Sequence, residues 1–254
     1  MTDQPRPISR CPISASRHTA SQSLVSRLLT FLAIGAMAVG VVLVLQPTVM
    51  SALHAQGQSK ELGAYDDAVS QMDDETLAAA LEEAEAYNDH LPSQAVLFEM
   101  SSKERSVYQQ ILDPAKTGVM GSLTIPVLDL TLPIYHGTSD ENMLKGACHV
   151  EGTALPVGEP STHAGITAHR GEPGASYFRY LDQVAVGDTF SVSVLGKVAT
   201  YEVDRITVVE PDNMGALASE EGMAYCTLIT CTPYEINSHR LLVRGHVVDV
   251  QPVS

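Results

Sequence analysis

From Gly118 onward the sequence is a succession of short apolar segments separated by turn-forming residues. Segments that are rich in β-branched residues and bounded by Gly, Pro, Asn and Asp are typical of β-strands. Many short strands at this spacing indicate an all-β barrel or sandwich, so this pattern restricts the possible folds more than any other feature of the chain. The predicted strands are residues 121–125, 130–134, 163–169, 189–194, 199–209, 225–230 and 241–250.

The last two predicted strands are separated by a polar, proline-containing segment at residues 232–239. Such a segment predicts a turn, and the two strands then pair as an antiparallel hairpin. Cys231 ends the first strand and Arg240 begins the second, so the hairpin brings a thiol and a guanidinium side by side. A nearby cation favours the thiolate form of a cysteine. The alternative is a buried structural cysteine beside a surface arginine, but loops held by a rigid scaffold are where catalytic residues concentrate.

A thiolate nucleophile needs a partner that can protonate a leaving amine, and histidine is the natural choice. His169 is the strongest candidate because the preceding I-T-A is strand-like and the following R-G-E-P-G is a turn. This position at a strand end matches that of Cys231. Since a single histidine is more often structural than catalytic, the structural alternative stays open. The other candidates are His136, His149, His163 and His239.

Residues 28–45 form an uncharged run of eighteen, close to the roughly 20 residues that span the hydrocarbon core of a membrane. The first basic residue after the run is Lys60. The positive-inside rule therefore places the N-terminus in the cytoplasm and the rest of the chain outside. A cleaved signal peptide is the alternative, but the run is long for one and the small-residue site at 53–55 is weak. The arginines that precede the run are Arg6, Arg10, Arg17 and Arg27.

Residues 61–91 have the periodicity of a helix, with Leu62, Tyr65, Val69 and Met72 at three- and four-residue spacing. The outer face is almost purely acidic, which favours a solvated face with one docking stripe, while a partner-binding surface is the alternative. A second short helix is predicted around residues 104–112. The predicted organisation is a cytoplasmic tail (1–27), a transmembrane anchor (28–46), an extracellular helical segment (47–117) and a β-barrel (118–254).

The charge of the chain excludes one class of partner. The net charge is −15, and the four arginines against one aspartate in residues 1–45 leave −18 on the remainder. A strongly acidic domain lacks the basic face that phosphate contacts require, so no nucleic acid is expected as a partner.

The four cysteines form no disulfide framework and no C-x-x-C pair, so we predict no metal and no cofactor. Zinc binding by Cys148, His149 and Cys231 lacks a recognised ligand spacing. Cys226 lies five residues before Cys231, so strand alternation places it on the opposite face. A disulfide between Cys148 and Cys226 stays open, with two free thiols favoured. Cys11, on the cytoplasmic side, is interpreted as an inert thiol or, less often, a lipidation site.

Several segments, in order from about Gly118 to Gly245, resemble the signature segments of the sortase family, in particular those of class C, pilin-polymerising sortases. Because several independent segments match in order, chance is a poor explanation. The segments are L-P-I-Y-H-G-T (132–138), H-V-E-G-T-A-L-P-V-G (149–158), H-A-G-I-T-A-H-R-G (163–171), T-L-I-T-C (227–231) and C-T-P-Y-E-I-N-S-H-R-L-L-V-R-G (231–245).

The resemblance implies a closed β-barrel of about eight strands with short helices, after a helical N-terminal segment and one transmembrane helix. It implies a cysteine transpeptidase in which Cys231 attacks an LPxTG-type sorting signal and forms a thioacyl-enzyme. His169 would protonate the leaving amine, and Arg240 would stabilise the oxyanion. The expected partners are LPxTG-bearing pilin or surface-protein precursors. The catalytic domain would lie outside the membrane of a Gram-positive-type envelope.

The sequence departs from class C sortases at the lid that usually covers the cysteine. Residues 93–103 occupy the usual place of the lid but lack an Asp-Pro-aromatic tripeptide, and the Asp113-Pro114 pair precedes an alanine. Regulation by an aromatic plug is therefore not expected. The alternatives to pilus assembly are a housekeeping sortase that joins proteins to peptidoglycan, a hydrolytic cysteine protease, and a tethered barrel that binds sorting signals without turnover.

Overall fold

The computed structural model describes residues 19–91, 100–171 and 177–252. The predictions for Cys11 and for most of the lid segment, residues 93–99, lie outside the described residues. The chain divides into two compact units, Met1–Pro47 and Thr48–Ser254.

Eight strands close into a barrel in the order β1-β2-β3-β4-β7-β8-β6-β5. Neighbouring strands are antiparallel except for β2–β3 and β4–β7, which are parallel. The barrel confirms the closed all-β prediction. The strands are β1 (Val119–Ile125), β2 (Leu130–His136), β3 (Ala147–His149), β4 (Thr162–Thr167), β5 (Thr189–Val194), β6 (Lys197–Val209), β7 (Ala224–Thr232) and β8 (His239–Pro252).

All seven strands predicted from the sequence are present, and β5 has the predicted bounds. The prediction missed β3, because three residues are too short to show an alternating pattern. The prediction for β4 ended two residues too late: the strand ends at Thr167, and His169 lies just beyond it.

The interior of the barrel is filled by aliphatic side chains and a few rings. The rings of Phe190 and Tyr201 stack with centroids 5.2 Å apart and an interplanar angle of 10°. Gly245 on β8 allows this packing, since a Cβ atom there would lie 2.8 Å from the Phe190 ring. The chain has no tryptophan, and many small aliphatic contacts provide the core instead.

The helices are α1 (Thr19–Ser70), α2 (Asp74–Asp89), α3 (Ser102–Tyr108) and the short α4 (Asp140–Met143). The prediction of one continuous helix over residues 61–91 was wrong. The chain breaks between α1 and α2, because Asp73 caps the second helix by accepting a hydrogen bond from the backbone N–H of Thr76 at 2.8 Å. Helix α3 begins with a capping box formed by Ser101 and Glu104.

Helix α1 contains the apolar run. Its residues Ser26–Ser70 include an 18-residue window with a mean hydropathy of 2.7 and no buried residue. By length and composition this is the described helix that could cross a membrane, and the predicted span at 28–46 falls within it.

Helix α2 docks on the barrel by its apolar stripe, as the periodicity predicts. Leu81, Ala84 and Asn88 are buried, while the acidic residues of the helix remain at the surface. The amide of Asn88 accepts from the backbone N–H of Leu155 at 2.7 Å and donates to its carbonyl at 3.2 Å. This paired contact fixes the helix against the loop that follows β3.

Candidate active site

The parallel pair β4–β7 brings two distant parts of the chain to the same edge of the barrel. Its last regular partners are Thr167 and Ile229. Just beyond them, the backbone N–H of Ala168 donates to the Ile229 carbonyl at 3.2 Å, and the Thr230 hydroxyl donates to the Ala168 carbonyl at 2.8 Å. The residues that follow on each strand, at positions 169 and 231, therefore lie at one edge.

A cavity of about 90 Å³ lies at this edge. Cys231 and His169 both border it, and both are half-buried. The structure thus brings the predicted nucleophile and the predicted acid–base residue to one site, although 62 positions separate them. The full lining is His169, Arg170, Gly171, Cys231, Tyr234, Glu235 and Asn237.

Arg240 lies beside the cavity and borders a neighbouring groove. It is the antiparallel partner of Cys231 on β8, as the predicted hairpin requires. Its Nη1 donates to the carbonyls of Asn237 at 3.3 Å and His239 at 3.1 Å. The groove measures about 180 Å³ and is lined by Val150, Thr167, Val209, Glu210, Pro211, Asn213, Leu217, Ile229, Arg240 and Leu242.

The floor of the groove is a small apolar cluster on the outside of the barrel. Leu217, Ile229 and Leu242 form its centre. Ile229 precedes Cys231 by two positions and pairs with Leu242, just as Cys231 pairs with Arg240. Because side chains alternate along a strand, the apolar pair and the Cys231–Arg240 pair share one face of the hairpin. The groove and the thiol therefore lie on the same face of the hairpin.

The other two described cysteines lie in the protein interior. Cys226 and Cys148 are both free and fully buried. Burial raises the pKa of the Cys148 thiol to about 12 and raises the pKa of the Cys226 thiol well above its ordinary value. Cys226 belongs to the barrel core, so the prediction that it faces away from Cys231 is confirmed. In the described residues no group of three or more His, Cys, Asp or Glu side chains could hold a metal ion.

Two of the remaining histidines are buried structural groups. The Tyr108 hydroxyl donates to Nδ1 of His149 at 2.9 Å, and Nε2 of His149 donates to the Ala154 carbonyl at 2.8 Å. Burial lowers the pKa of His149 to about 4, so this ring is neutral at physiological pH. Burial also lowers the pKa of His163, whose Nε2 bonds the Thr227 hydroxyl at 2.7 Å.

The last two histidine candidates also have structural partners. His136 is buried, and its two ring nitrogens lie 2.7 Å from the Ile111 carbonyl and 3.1 Å from the Gly118 carbonyl. His239 is partly exposed and lies 3.3 Å from a Glu210 carboxylate oxygen. Of the five candidates, His169 is the one that borders the cavity with Cys231.

Arg170 is a cavity residue that the sequence analysis did not single out. Its side chain is 7% exposed. Nη1 donates to the Thr232 hydroxyl at 2.6 Å and to the Cys231 carbonyl at 3.3 Å, and Nη2 pairs with Asp182 at 2.6 Å. The sequence feature that could have identified Arg170 was its position directly after His169, in the segment H-R-G.

Tyr234 forms an aromatic wall of the cavity and was also missed. Its ring packs on Gly171, where a Cβ atom would lie 2.5 Å from Cε2, so the close approach requires glycine. The Arg179 guanidinium lies 4.8 Å from the ring centroid and donates to the Tyr234 hydroxyl at 3.1 Å. The hairpin loop is thereby held against the segment that follows β4.

The sequence also matches known proteins. The family model described as the sortase domain matches residues 123–248, which include His169, Cys231 and Arg240. The crystal structure of sortase C1 from Streptococcus agalactiae is 41% identical, with 75% of this chain and 98% of that chain covered and a TM-score of 0.72. The chain belongs to the sortase family.

Other solved sortases agree in fold. The sortase C of Streptococcus pneumoniae is 39% identical, with 76% of this sortase and 100% of that chain covered and a TM-score of 0.68. Sortase C-1 of Actinomyces oris is 41% identical, with 69% of this chain and 99% of that chain covered and a TM-score of 0.65.

Curated relatives are more distant. Sortase SrtE1 of Streptomyces coelicolor is 31% identical over 52% of this chain and 41% of its own length. Sortase A of Bacillus anthracis is 27% identical over 52% of this chain and 61% of its own length. The chain thus spans between 41% and 65% of the length of the curated relatives it matches.

Proposed function

We propose that this sortase cleaves LPxTG-type sorting signals through Cys231 and transfers the acyl group to a lysine amine of a pilin subunit. The assignment to pilin-polymerising sortases, rather than to housekeeping sortases, is supported by one comparison. The sortase C1 structure of Streptococcus agalactiae is 41% identical and almost completely covered, whereas the sortase A relatives are 26–27% identical over little more than half of this chain. The sortase C of Streptococcus pneumoniae was itself described in terms of pilin substrate specificity.

In the first half-reaction the Cys231 thiolate attacks the threonine carbonyl of the sorting signal. The bond between that carbonyl carbon and the glycine nitrogen breaks, and a thioester forms. The leaving glycine amine takes a proton from the His169 imidazolium. The shared cavity of Cys231 and His169 supports these roles, because both side chains border the same space.

In the second half-reaction a lysine amine attacks the thioester. His169 takes the proton from the incoming amine, the isopeptide bond forms, and the Cys231 thiolate is released. The amine that leaves and the amine that enters pass through the same cavity, so one histidine serves both steps.

Arg240 would stabilise the oxyanion and orient the acyl segment. A guanidinium is always charged and offers forked donors to a carbonyl oxygen. The position of Arg240 supports this role, because it pairs across the hairpin with Cys231 and borders the apolar groove. The leucine and proline of the sorting signal would lie against Leu217, Ile229 and Leu242.

The membrane anchor is the remaining part of the proposal. The apolar part of α1 would span the bilayer once, with the arginine-rich N-terminus in the cytoplasm and the barrel outside. This placement suits substrates that are themselves membrane-tethered precursors. The proposed organisation is a cytoplasmic tail (1–27), an anchor (28–46), a helical segment (47–117) and the catalytic barrel (118–254).

The decisive experiment uses the full-length chain in detergent with a labelled LPxTG peptide and a pilin segment that carries its acceptor lysine. We expect peptide cleavage and an isopeptide-linked product, both abolished by Cys231→Ala and both retained by Cys226→Ala on the same strand. Transfer to a peptidoglycan-type amine alone would indicate a housekeeping sortase. Hydrolysis without transfer would indicate a protease, and peptide binding without cleavage would indicate a non-catalytic barrel.

A further inference from the structure

Two buried arginines of the barrel differ in their partners. Arg244 forms two bonds with Asp204, at 3.0 and 2.7 Å, and a third with Glu220 at 3.1 Å. Arg170 has a single carboxylate partner, Asp182, whose own side chain is half exposed. Its Nε is buried without a hydrogen-bond partner among the described residues. A buried guanidinium with one carboxylate partner, where Arg244 has two, is not an arrangement that stability alone favours.

The remaining donors of Arg170 bind the backbone and side chain next to the nucleophile. Regular pairing of β4 with β7 ends at Thr167 and Ile229, two residues before each proposed catalytic residue. Beyond that point Nη1 of Arg170 donates to the Cys231 carbonyl and to the Thr232 hydroxyl. The guanidinium therefore continues the connection between the two strands where the ladder stops.

Arg170 also connects a third segment. Asp182 lies in the 3-10 helix Leu181–Gln183, within the segment that connects β4 to β5. The ion pair with Asp182 at 2.6 Å engages Nη2. It thereby orients the guanidinium so that Nη1 reaches β7. Three segments, namely the ends of β4 and β7 and this short helix, meet at one side chain.

We propose that Arg170 is a positioning residue that sets the Cys231 thiol relative to the His169 imidazole. It adjoins His169 in the chain and donates to the carbonyl of Cys231, so it is connected to both partners of the reaction. Displacement of a reacting group by about 1 Å can reduce a rate about 100-fold. The inference rests on the proposed cysteine–histidine chemistry and adds a residue to it.

The test compares Arg170→Met, Arg170→Lys and Arg244→Met in the full-length protein. Arg244→Met is the matched control, because it also removes a buried, ion-paired guanidinium. Arg244 pairs with Thr227 on β7, but it does not line the cavity. For Arg170→Met we expect kcat for the sorting peptide to fall about 10- to 100-fold with KM within about threefold. Arg170→Lys keeps the charge but loses the fork, so we expect it to recover part of the rate.

Arg244→Met should have a lower melting temperature than the wild type, but its folded molecules should keep nearly the wild-type kcat. If Arg170→Met and Arg244→Met lower kcat equally at matched loss of melting temperature, Arg170 is only a structural residue. An increase of KM with unchanged kcat would likewise overturn the positioning role.

A second measurement does not require turnover. The rate of Cys231 alkylation against pH reports the surroundings of the thiol, and we expect its profile to shift to higher pH in Arg170→Met but not in Arg244→Met. An unchanged profile in Arg170→Met contradicts the inference. If the wild-type protein cleaves no sorting peptide, the proposed function fails, and this profile still decides the role of Arg170.

Discussion

Two cysteines on β7 have different surroundings although they are only five positions apart. Cys226 lies inside the barrel with no exposed surface, and burial raises the pKa of its thiol. Cys231 lies at the strand end, half-buried, on a cavity with His169. The same residue type is thus a core filler in the barrel interior and a nucleophile candidate at the barrel rim. Position relative to the end of the strand decides the difference.

The histidines repeat this contrast. His149 and His163 are buried and hydrogen-bonded on both ring nitrogens, and burial lowers the pKa of each ring. His169 lies beyond the end of β4, where the ring borders the cavity. A histidine that must gain and lose a proton during turnover needs solvent or substrate access, which the interior positions lack. Substitutions at interior and rim positions should therefore have different effects.

The largest expected effect is on turnover. His169→Ala should reduce cleavage of the sorting peptide by about 1,000-fold, since general acid–base catalysis contributes about 10²–10⁴-fold. His149→Gln should leave kcat within a few-fold, because the interior ring has only structural partners. Steady-state kinetics on the folded protein measure both. A loss of turnover in His149→Gln that matches His169→Ala would remove the distinction between interior and rim.

Arg240→Lys should reduce kcat about 100-fold, because a lysine keeps the charge but cannot present forked donors to the oxyanion. Arg205→Lys provides the control, since Arg205 is exposed on β6, away from the groove. We expect the control to keep the wild-type rate. Equal rates for the two variants would place the oxyanion contact elsewhere.

The three described cysteines should differ in reactivity. With a small alkylating reagent in the native full-length protein, Cys231 should react at least about 100-fold faster than Cys148 and Cys226, because reaction of a buried thiol requires the barrel to open. Peptide mapping by mass spectrometry assigns each site. Slow alkylation of Cys231 would show that a segment of the chain covers the cavity in solution.

The smallest expected effect is on stability in acid. The pKa of His149 is about 4 in the folded protein against 6.5 in the unfolded chain, so the unfolded chain binds the extra proton between these values. The neutral His149 ring therefore makes its full contribution to the free energy of unfolding above pH 6.5. This contribution is lost as the pH falls toward 4. Between pH 7 and 5 the loss is about 2 kcal/mol, since each pKa unit is worth about 1.4 kcal/mol.

Urea unfolding at the two pH values measures this loss, and His149→Gln is the comparison, because glutamine can keep both hydrogen bonds without titrating. The acid sensitivity of the variant should be smaller by that amount. Equal sensitivity of the two proteins would show that the interior ring does not titrate on unfolding.

Local patterns were sufficient for much of the fold. Alternation and turn residues predicted seven of the eight strands, and the Cys231–Arg240 pairing followed from the hairpin alone, because its partners are close in sequence. The same reasoning failed at β3, which is too short, and at the break between α1 and α2, where the cap at Asp73 overrode a continuous apolar period.

The identity of the thiol, the imidazole and the guanidinium was determined by the sequence, through residue type, strand ends and matching segments. That Cys231 and His169 share a cavity was decided only by the tertiary structure. The parallel pairing of β4 with β7 joins strands separated by β5 and β6 in the chain, and no local propensity encodes such a contact. Arg170 was hidden for the same reason: its partners Asp182, Cys231 and Thr232 become neighbours only when the barrel closes.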